Sequence, residues 1–167
     1  MKDFIFQNRL ADCGFAALKM ALIDETKDSG YRKIGPQKKI GNFSFIDLVK
    51  EAKALGFILK GYQIPLDHLP KCPSVVLLFK NGAFHYVFLK EIHADYLRIY
   101  DPILGKRKIK YKKFYQQFTG YFLKIEGKEK EIEITYSRWN VIPYFLRYFM
   151  IFLFLGALIF FIFYFYP

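Results

Sequence analysis

A chain of 167 residues is long enough to bury one core and too short for two packed domains, and its formal net charge of +11 is strongly basic. No zinc-ligand spacing, Gly-rich aromatic sheet motif or base-reading basic helix accompanies that charge, so nucleic acid is set aside as a partner. Two cysteines, Cys13 and Cys72, make no disulfide framework and are expected as free thiols in a reducing cytoplasm.

In chain order, Asp12 is a good N-cap, and Cys13 to about Ile23 is rich in helix formers, with Cys13, Ala16, Ala17, Met20 and Ile23 on one broad face. This predicts a short, nearly all-apolar helix, central to a core and open at its first turn. Asp24 to Asn42 is polar and broken by Ser29-Gly30, Gly35-Pro36 and Gly41, which predicts a loop. Phe45, Leu48, Val49, Ala52 and Leu55 repeat at helical spacing until Gly56, a second helix with a glycine stop. From there β-rich runs alternate with turns: Phe57 to Tyr62, Val75 to Phe79, His85 to Leu89, Tyr96 to Tyr100 and Gly120 to Ile125. Helices first and antiparallel strands afterwards is the order of an α+β domain, expected to end near Glu133.

Every charged side chain lies at or before Arg147, and Tyr148 to Tyr166 is a 19-residue stretch with no charge. That is about the length one helix needs to cross a bilayer core, and Trp139, Tyr144, Tyr148, Tyr164 and Tyr166 suit its two interfaces. Between Lys106 and Lys130 nine Lys or Arg stand against two Glu. Such a block reads as cytoplasmic charge near anionic lipid, or as a solvated, Lys-rich sheet edge, and the two are compatible. The expected organisation is a domain over residues 1–133, a juxtamembrane segment over 134–147 and a transmembrane helix over 148–166. The chain would be a single-pass protein of the bacterial inner membrane with its domain in the cytoplasm.

The chemistry starts at Cys13. A cysteine in the first turn of a helix has its thiolate favoured by the backbone N–H groups pointing at it, and Gly14 beside it would leave room for a substrate backbone. Taken alone, such a cysteine is more often a small core residue. A base is supplied if the strands around His93 form a symmetric hairpin, because His85 then stands directly opposite Asp101, near enough for the carboxylate to hold the imidazole. The same pair could serve sheet stability alone. Gln7, six residues before Cys13, could return its amide as an oxyanion donor if residues 8 to 11 turn. His68 and Cys72 lie in a Pro-rich connection, Pro65 to Pro73, and are read as structural.

Gln7, then Asp12-Cys13-Gly14 with Ala16, Leu18 and Met20, resembles the N-terminal signature of the C39 peptidases. Asn81-Gly82 with His85-Tyr86-Val87 resembles that family's histidine motif, and Tyr100-Asp101-Pro102 with Gly105 its Asp-Pro motif. The resemblance spans roughly residues 1 to 125. It implies a papain-like fold, Cys13 as nucleophile, His85 as general base and acid, Asp101 as orienter and Gln7 as oxyanion-hole donor, with no cofactor or metal. It also implies an endopeptidase that cuts a bacteriocin-like leader peptide after a Gly-Gly pair, in partnership with an ABC exporter and the membrane. The narrow cleft would admit no side chain, and an amphipathic leader helix would lie on an apolar surface beside it. The segment Asp24 to Asn42 is longer and more polar than the family pattern. No transporter body or P-loop follows before Pro167, which leaves a stand-alone anchored peptidase or a piece of a longer chain. The alternative reading is a non-catalytic leader-binding, immunity or accessory module of an exporter.

Overall fold

The segment CGFAALKMALIDET is built from Ala, Leu, Met and Lys, which lose little side-chain entropy in a helix, and it forms α1, Cys13–Thr26. Its first turn lacks the expected side-chain cap. Asp12 occupies the N-cap position but makes no capping side-chain hydrogen bond, and only its carbonyl serves, accepting from the Ala16 N–H at 2.9 Å. Gly14 through Ile23 are all buried, so the helix is enclosed on every side. At its far end Lys27 turns left-handed (φ 59°) and returns its N–H to the Ile23 carbonyl. The computed structural model describes residues 3–7, 12–36 and 42–128, and Met1–Lys130 form one compact unit.

The polar stretch expected as a loop contains a 3₁₀ turn at Ser29–Lys33. Lys19, 8% exposed, ties it to α1 by donating to the Arg32 and Ile34 carbonyls, each at 3.3 Å. Helix α2, Phe45–Ala54, opens on a reciprocal capping box, with Ser44 Oγ accepting from the Asp47 N–H and Asp47 Oδ2 accepting from the Ser44 N–H. Gly56 at φ 79° ends it where the periodicity says it should.

Six strands follow: β1 Phe57–Gln63, β2 Ser74–Lys80, β3 Ala83–Ile92, β4 Tyr96–Asp101, β5 Gly105–Lys110 and β6 Phe118–Lys128, with a one-turn helix α3, Tyr111–Tyr115, before the last. They form one antiparallel sheet in the order β1-β6-β2-β3-β4-β5. Period-two alternation divides the core between the two faces. Tyr86, Phe88, Tyr100 and Leu123 pack under α1 and α2, while Val76, Val87, Leu89, Ile99 and Phe122 pack on the other face with Phe114 of α3. Burying such a Leu or Phe contributes about 2 kcal/mol relative to leaving it exposed.

The α+β class with an antiparallel sheet is as expected. Strand β5 and α3 were not expected as elements: in Gly105–Lys110 only Ile109 is buried, so charge hides the alternation. The five expected strands are present, most of them a few residues longer. Among the described residues no helix is long and apolar enough to cross a membrane. The expected juxtamembrane segment 134–147 and span Tyr148–Tyr166 lie outside the described residues.

Candidate active site

Cys13 is the first residue of α1, where the free N–H groups of the opening turn converge. Strand β3 carries His85 past it. The His85 side chain and the backbone of Tyr86 and Gly14 lie beside the thiol and favour its ionised form. His85 Nε2 meets Asp101 Oδ1 at 2.8 Å, which leaves Nδ1 as the ring nitrogen for the thiol.

The expected register needs correction. Phe88 pairs with Tyr100 and Leu89 with Ile99, and a bulge between Leu89 and Glu91 shifts the pairing to Arg98 and Leu97 beyond it. His85 is therefore not directly opposite Asp101; it is its diagonal neighbour. The contact survives because an offset of two residues leaves both side chains on the same face, where diagonal neighbours remain within reach of a ring.

Asp101 is 2% exposed and its Oδ1 also accepts the N–H groups of Ile103 (2.9 Å) and Leu104 (3.2 Å), while Arg107 approaches Oδ2 at 3.7 Å. Burial opposes its ionisation, but the His85 bond and the two backbone donors prevail and hold its carboxyl below the usual carboxylate range. For His85, burial works against the cation and is overcome by the hydrogen bonds to Asp101 and then Cys13, which push it up to about 9. Burial likewise works against the Cys13 thiolate, and the His85 hydrogen bond with the Tyr86 and Gly14 backbone brings the thiol below its ordinary value. The shifts of Cys13 and His85 both run towards a thiolate–imidazolium pair, a nucleophile beside a charged proton donor.

Two clefts meet at Cys13. One, of about 520 Å³, is lined by Asn42, Phe43, Ser44, Leu77, Phe84 and Tyr86; the other, of about 370 Å³, includes Lys80, Asn81, His85, Asp101, Ile103 and Leu104. Their rim is apolar. Phe84 is 67% exposed and packs on Phe79 with ring centroids 5.2 Å apart, and Ile103 and Leu104 are each 51% exposed. None of these rim residues stood out in the sequence. The available signals were Phe84 in the outward phase beside His85 and two apolar residues in a tight turn.

Gly14 corrects another expectation. Its open side faces protein, not substrate, for a Cβ there would lie 3.1 Å from Tyr86 Cδ2, 3.2 Å from Phe43 Cβ and 3.3 Å from Leu48 Cδ1. The missing side chain lets the first turn of α1 seat against α2 and β3, which sets where Cys13 stands.

Gln7 lies in the N-terminal segment and donates its backbone N–H to the Pro102 carbonyl at 3.0 Å, one residue past Asp101. Its side chain lines neither cleft at Cys13. It borders a hollow of about 150 Å³ with Asp12, Phe15 and Lys19, and its Oε1 is buried without a hydrogen-bond partner among the described residues. Upstream, Asp3 accepts from Tyr100 Oη (2.8 Å) and Lys106 Nζ (2.7 Å), tying the segment to β4 and β5. Cys72 is placed far from this chemistry: its Sγ donates to the Lys90 carbonyl at 3.0 Å, and burial with Asp24 and Glu91 nearby pushes its thiol up to about 11. His68 pairs with Asp67 and His93 with Glu91, each at 2.9 Å. Among the described residues no cluster of three or more His, Cys, Asp or Glu could hold a metal ion.

A helix-borne thiol, a sheet-borne imidazole and a buried carboxylate are the parts that cysteine peptidases use. The chain belongs to the peptidase C39 family, whose family model matches residues 1–130. It resembles a "double glycine motif protease from AMS/PCAT transporter", solved in complex with its leader peptide, with a TM-score of 0.65 and 27% identity over 75% of this chain and 91% of that one. The peptidase domain of Streptococcus ComA, described as a bi-functional ABC transporter involved in quorum sensing, has the same fold: TM-score 0.60, 21% identity, 75% of this chain and 98% of that one. Among curated proteins, a "Probable functional amyloid protease FapD" of Pseudomonas fluorescens is 30% identical over 88 residues, 52% of this chain and 39% of that protein. The chain thus spans well under half the length of that relative.

Proposed function

We propose that this domain is a papain-like endopeptidase that removes the leader of a secreted, bacteriocin-like peptide after a Gly-Gly pair, in partnership with an ABC exporter. The observation that carries it is the continuous line from Cys13 through His85 to Asp101, with Cys13 standing where two clefts meet. The likeness to a double-glycine protease solved with its leader supports the substrate class.

In this reading the Cys13 thiolate attacks the carbonyl carbon of the second glycine, and the oxygen takes the negative charge. The backbone N–H groups at the start of α1 stabilise that oxyanion, and Gln7 joins them by turning its amide from the hollow beside Asp12 towards Cys13. The His85 imidazolium passes its proton to the departing amine as the peptide bond breaks, leaving a thioester on Cys13. A water then attacks the thioester, His85 accepts its proton, and the thiol leaves with the leader's new carboxylate formed. Asp101 holds the ring in one tautomer and stabilises its charge throughout. The exposed Phe79 and Phe84 beside the cleft suit the apolar face of an amphipathic leader helix.

The test is a synthetic leader peptide ending in Gly-Gly followed by a short core sequence, its products read by mass spectrometry. Cleavage after the second glycine is expected from the native chain, with none from Cys13→Ala, which should still bind the peptide. A Cys13→Ala chain that turns over, or a native chain that binds and never cleaves, would overturn the catalytic reading; the latter would leave a leader-binding module.

The same proposal has the domain at the cytoplasmic face of the inner membrane, with Tyr148 to Tyr166 as a membrane span. Carbonate extraction followed by protease protection decides it: an intact chain released by carbonate, or a domain reached from the periplasmic side, would sink the topology.

A further inference from the structure

Strand β5 is an outer strand of the sheet, hydrogen-bonded to β4 alone among the described strands. From Lys106 to Lys113 six of eight residues are cationic and none is acidic. Lys106, Lys108 and Lys110 project from one face of β5, and Lys112 and Lys113 continue the charge onto α3; all five are exposed. Lys106 is taken by Asp3, and Arg107 leans towards Asp101. Lys108, Lys110, Lys112 and Lys113 have no ion-pair partner among the described residues.

A lysine or two would suffice to keep another strand off this edge. Here the charge runs past the strand onto a helix, where no strand could pair, so blocking an edge does not account for it. The form of the patch narrows the partner. It is a row of lysine point charges, none of which lines either cleft at Cys13. Lys106 lies over the Tyr100 ring and Lys108 over the Tyr96 ring of β4, each at 4.6 Å, and the edge's own Tyr111 and Tyr115 are half-buried and stack on each other with ring centroids 6.3 Å apart. A broad layer of negative headgroups needs only such a row, and the same chain carries the uncharged run Tyr148 to Tyr166.

We propose that the β5–α3 edge is a membrane-docking surface that rests on anionic phospholipid headgroups. This rests on the reading of the chain as membrane-anchored. Docking by this edge would hold the domain in one orientation beside the bilayer, so that Ile103 and Leu104, at the turn leading into β5, present the cleft at a fixed height above it.

The test uses the full chain reconstituted in nanodiscs of phosphatidylcholine, with or without phosphatidylglycerol, and reads hydrogen exchange over residues 105–115. Protection is expected in the phosphatidylglycerol discs alone, and it should be lost in high salt, which shortens the Debye length to about 3 Å at 1 M. Substituting Lys108, Lys110, Lys112 and Lys113 together with Gln should abolish it, since each surface cation contributes roughly fivefold to partitioning. Equal exchange in both lipids, or protection that survives the quadruple substitution, overturns the proposal. Tighter binding of an RNA oligonucleotide than of phosphatidylglycerol vesicles at equal salt overturns it in favour of nucleic acid. If the chain stays out of nanodiscs, the anchoring reading fails, and flotation with vesicles then decides the surface: flotation with phosphatidylglycerol but not phosphatidylcholine upholds it, and no flotation overturns it.

Discussion

Asp101 Oδ1 meets His85 Nε2 at 2.8 Å while also accepting the N–H groups of Ile103 and Leu104. The turn after β4 thus fixes the carboxylate independently of the imidazole, and the ring aligns to a preset acceptor. Asp101→Asn puts a neutral amide in that place, able to donate a proton where only an acceptor fits the backbone N–H groups. We expect kcat on a Gly-Gly peptide to fall roughly a hundredfold or more, short of complete loss, with KM little changed. Steady-state kinetics check it, and wild-type turnover would reduce Asp101 to a sheet residue.

The two thiols should differ sharply in reactivity. Cys13 is drawn below its ordinary value by His85 and the backbone, while Cys72 is pushed up to about 11. Iodoacetamide near neutral pH should therefore modify Cys13 much faster, and peptide mapping of a time course reads the two rates. Equal rates would mean that Cys13 is an ordinary buried thiol.

The pH dependence follows from the same groups. Activity should rise with pH through the lowered Cys13 value and fall as pH passes about 9, where the His85 imidazolium loses its proton. Stability has its own signs. The raised His85 contributes stability that is complete below its ordinary 6.5 and is lost as pH rises through about 9. The lowered Asp101 contributes stability present above its ordinary 3.8 and lost as pH falls below it. Rate profiles and denaturant midpoints across pH measure both, and an activity limb near 6.5 instead of 9 would contradict the pairing.

Gly14→Ala should be felt through packing. The added methyl would press on Tyr86, Phe43 and Leu48 at 3.1 to 3.3 Å, so the start of α1 must shift or its neighbours must give. A cost of about 1 to 3 kcal/mol is expected, seen as a lower denaturation midpoint, together with slower alkylation of Cys13. An unchanged midpoint would mean that the helix start has slack.

Gln7→Ala should lower kcat roughly a hundredfold with KM unchanged, the loss of one oxyanion donor. Its Oε1 is buried and unpartnered among the described residues, and a rise in KM alone would instead mark Gln7 as a substrate contact.

What the sequence determined by itself was local. Helix formers and the glycine stop mark α1 and α2, and period-two runs mark five strands, because these patterns depend only on which face of one element is buried. The same alternation grouped His85 with Val87 and Leu89, and Asp101 with Leu97 and Ile99, but only an even register between the two strands brings those sets to one face. Tertiary structure alone decided the rest. The bulge between Leu89 and Glu91 set the diagonal contact, and β6 entered between β1 and β2, choices made by partners far apart in the chain. Strand β5 escaped notice because an outer strand solvated by lysines needs only one buried residue, Ile109, to hold its place. Gly14 looked like an opening for substrate and is a packing contact, since only the approach of Tyr86 from β3, Phe43 from the segment before α2 and Leu48 from α2 decides what its missing side chain makes room for.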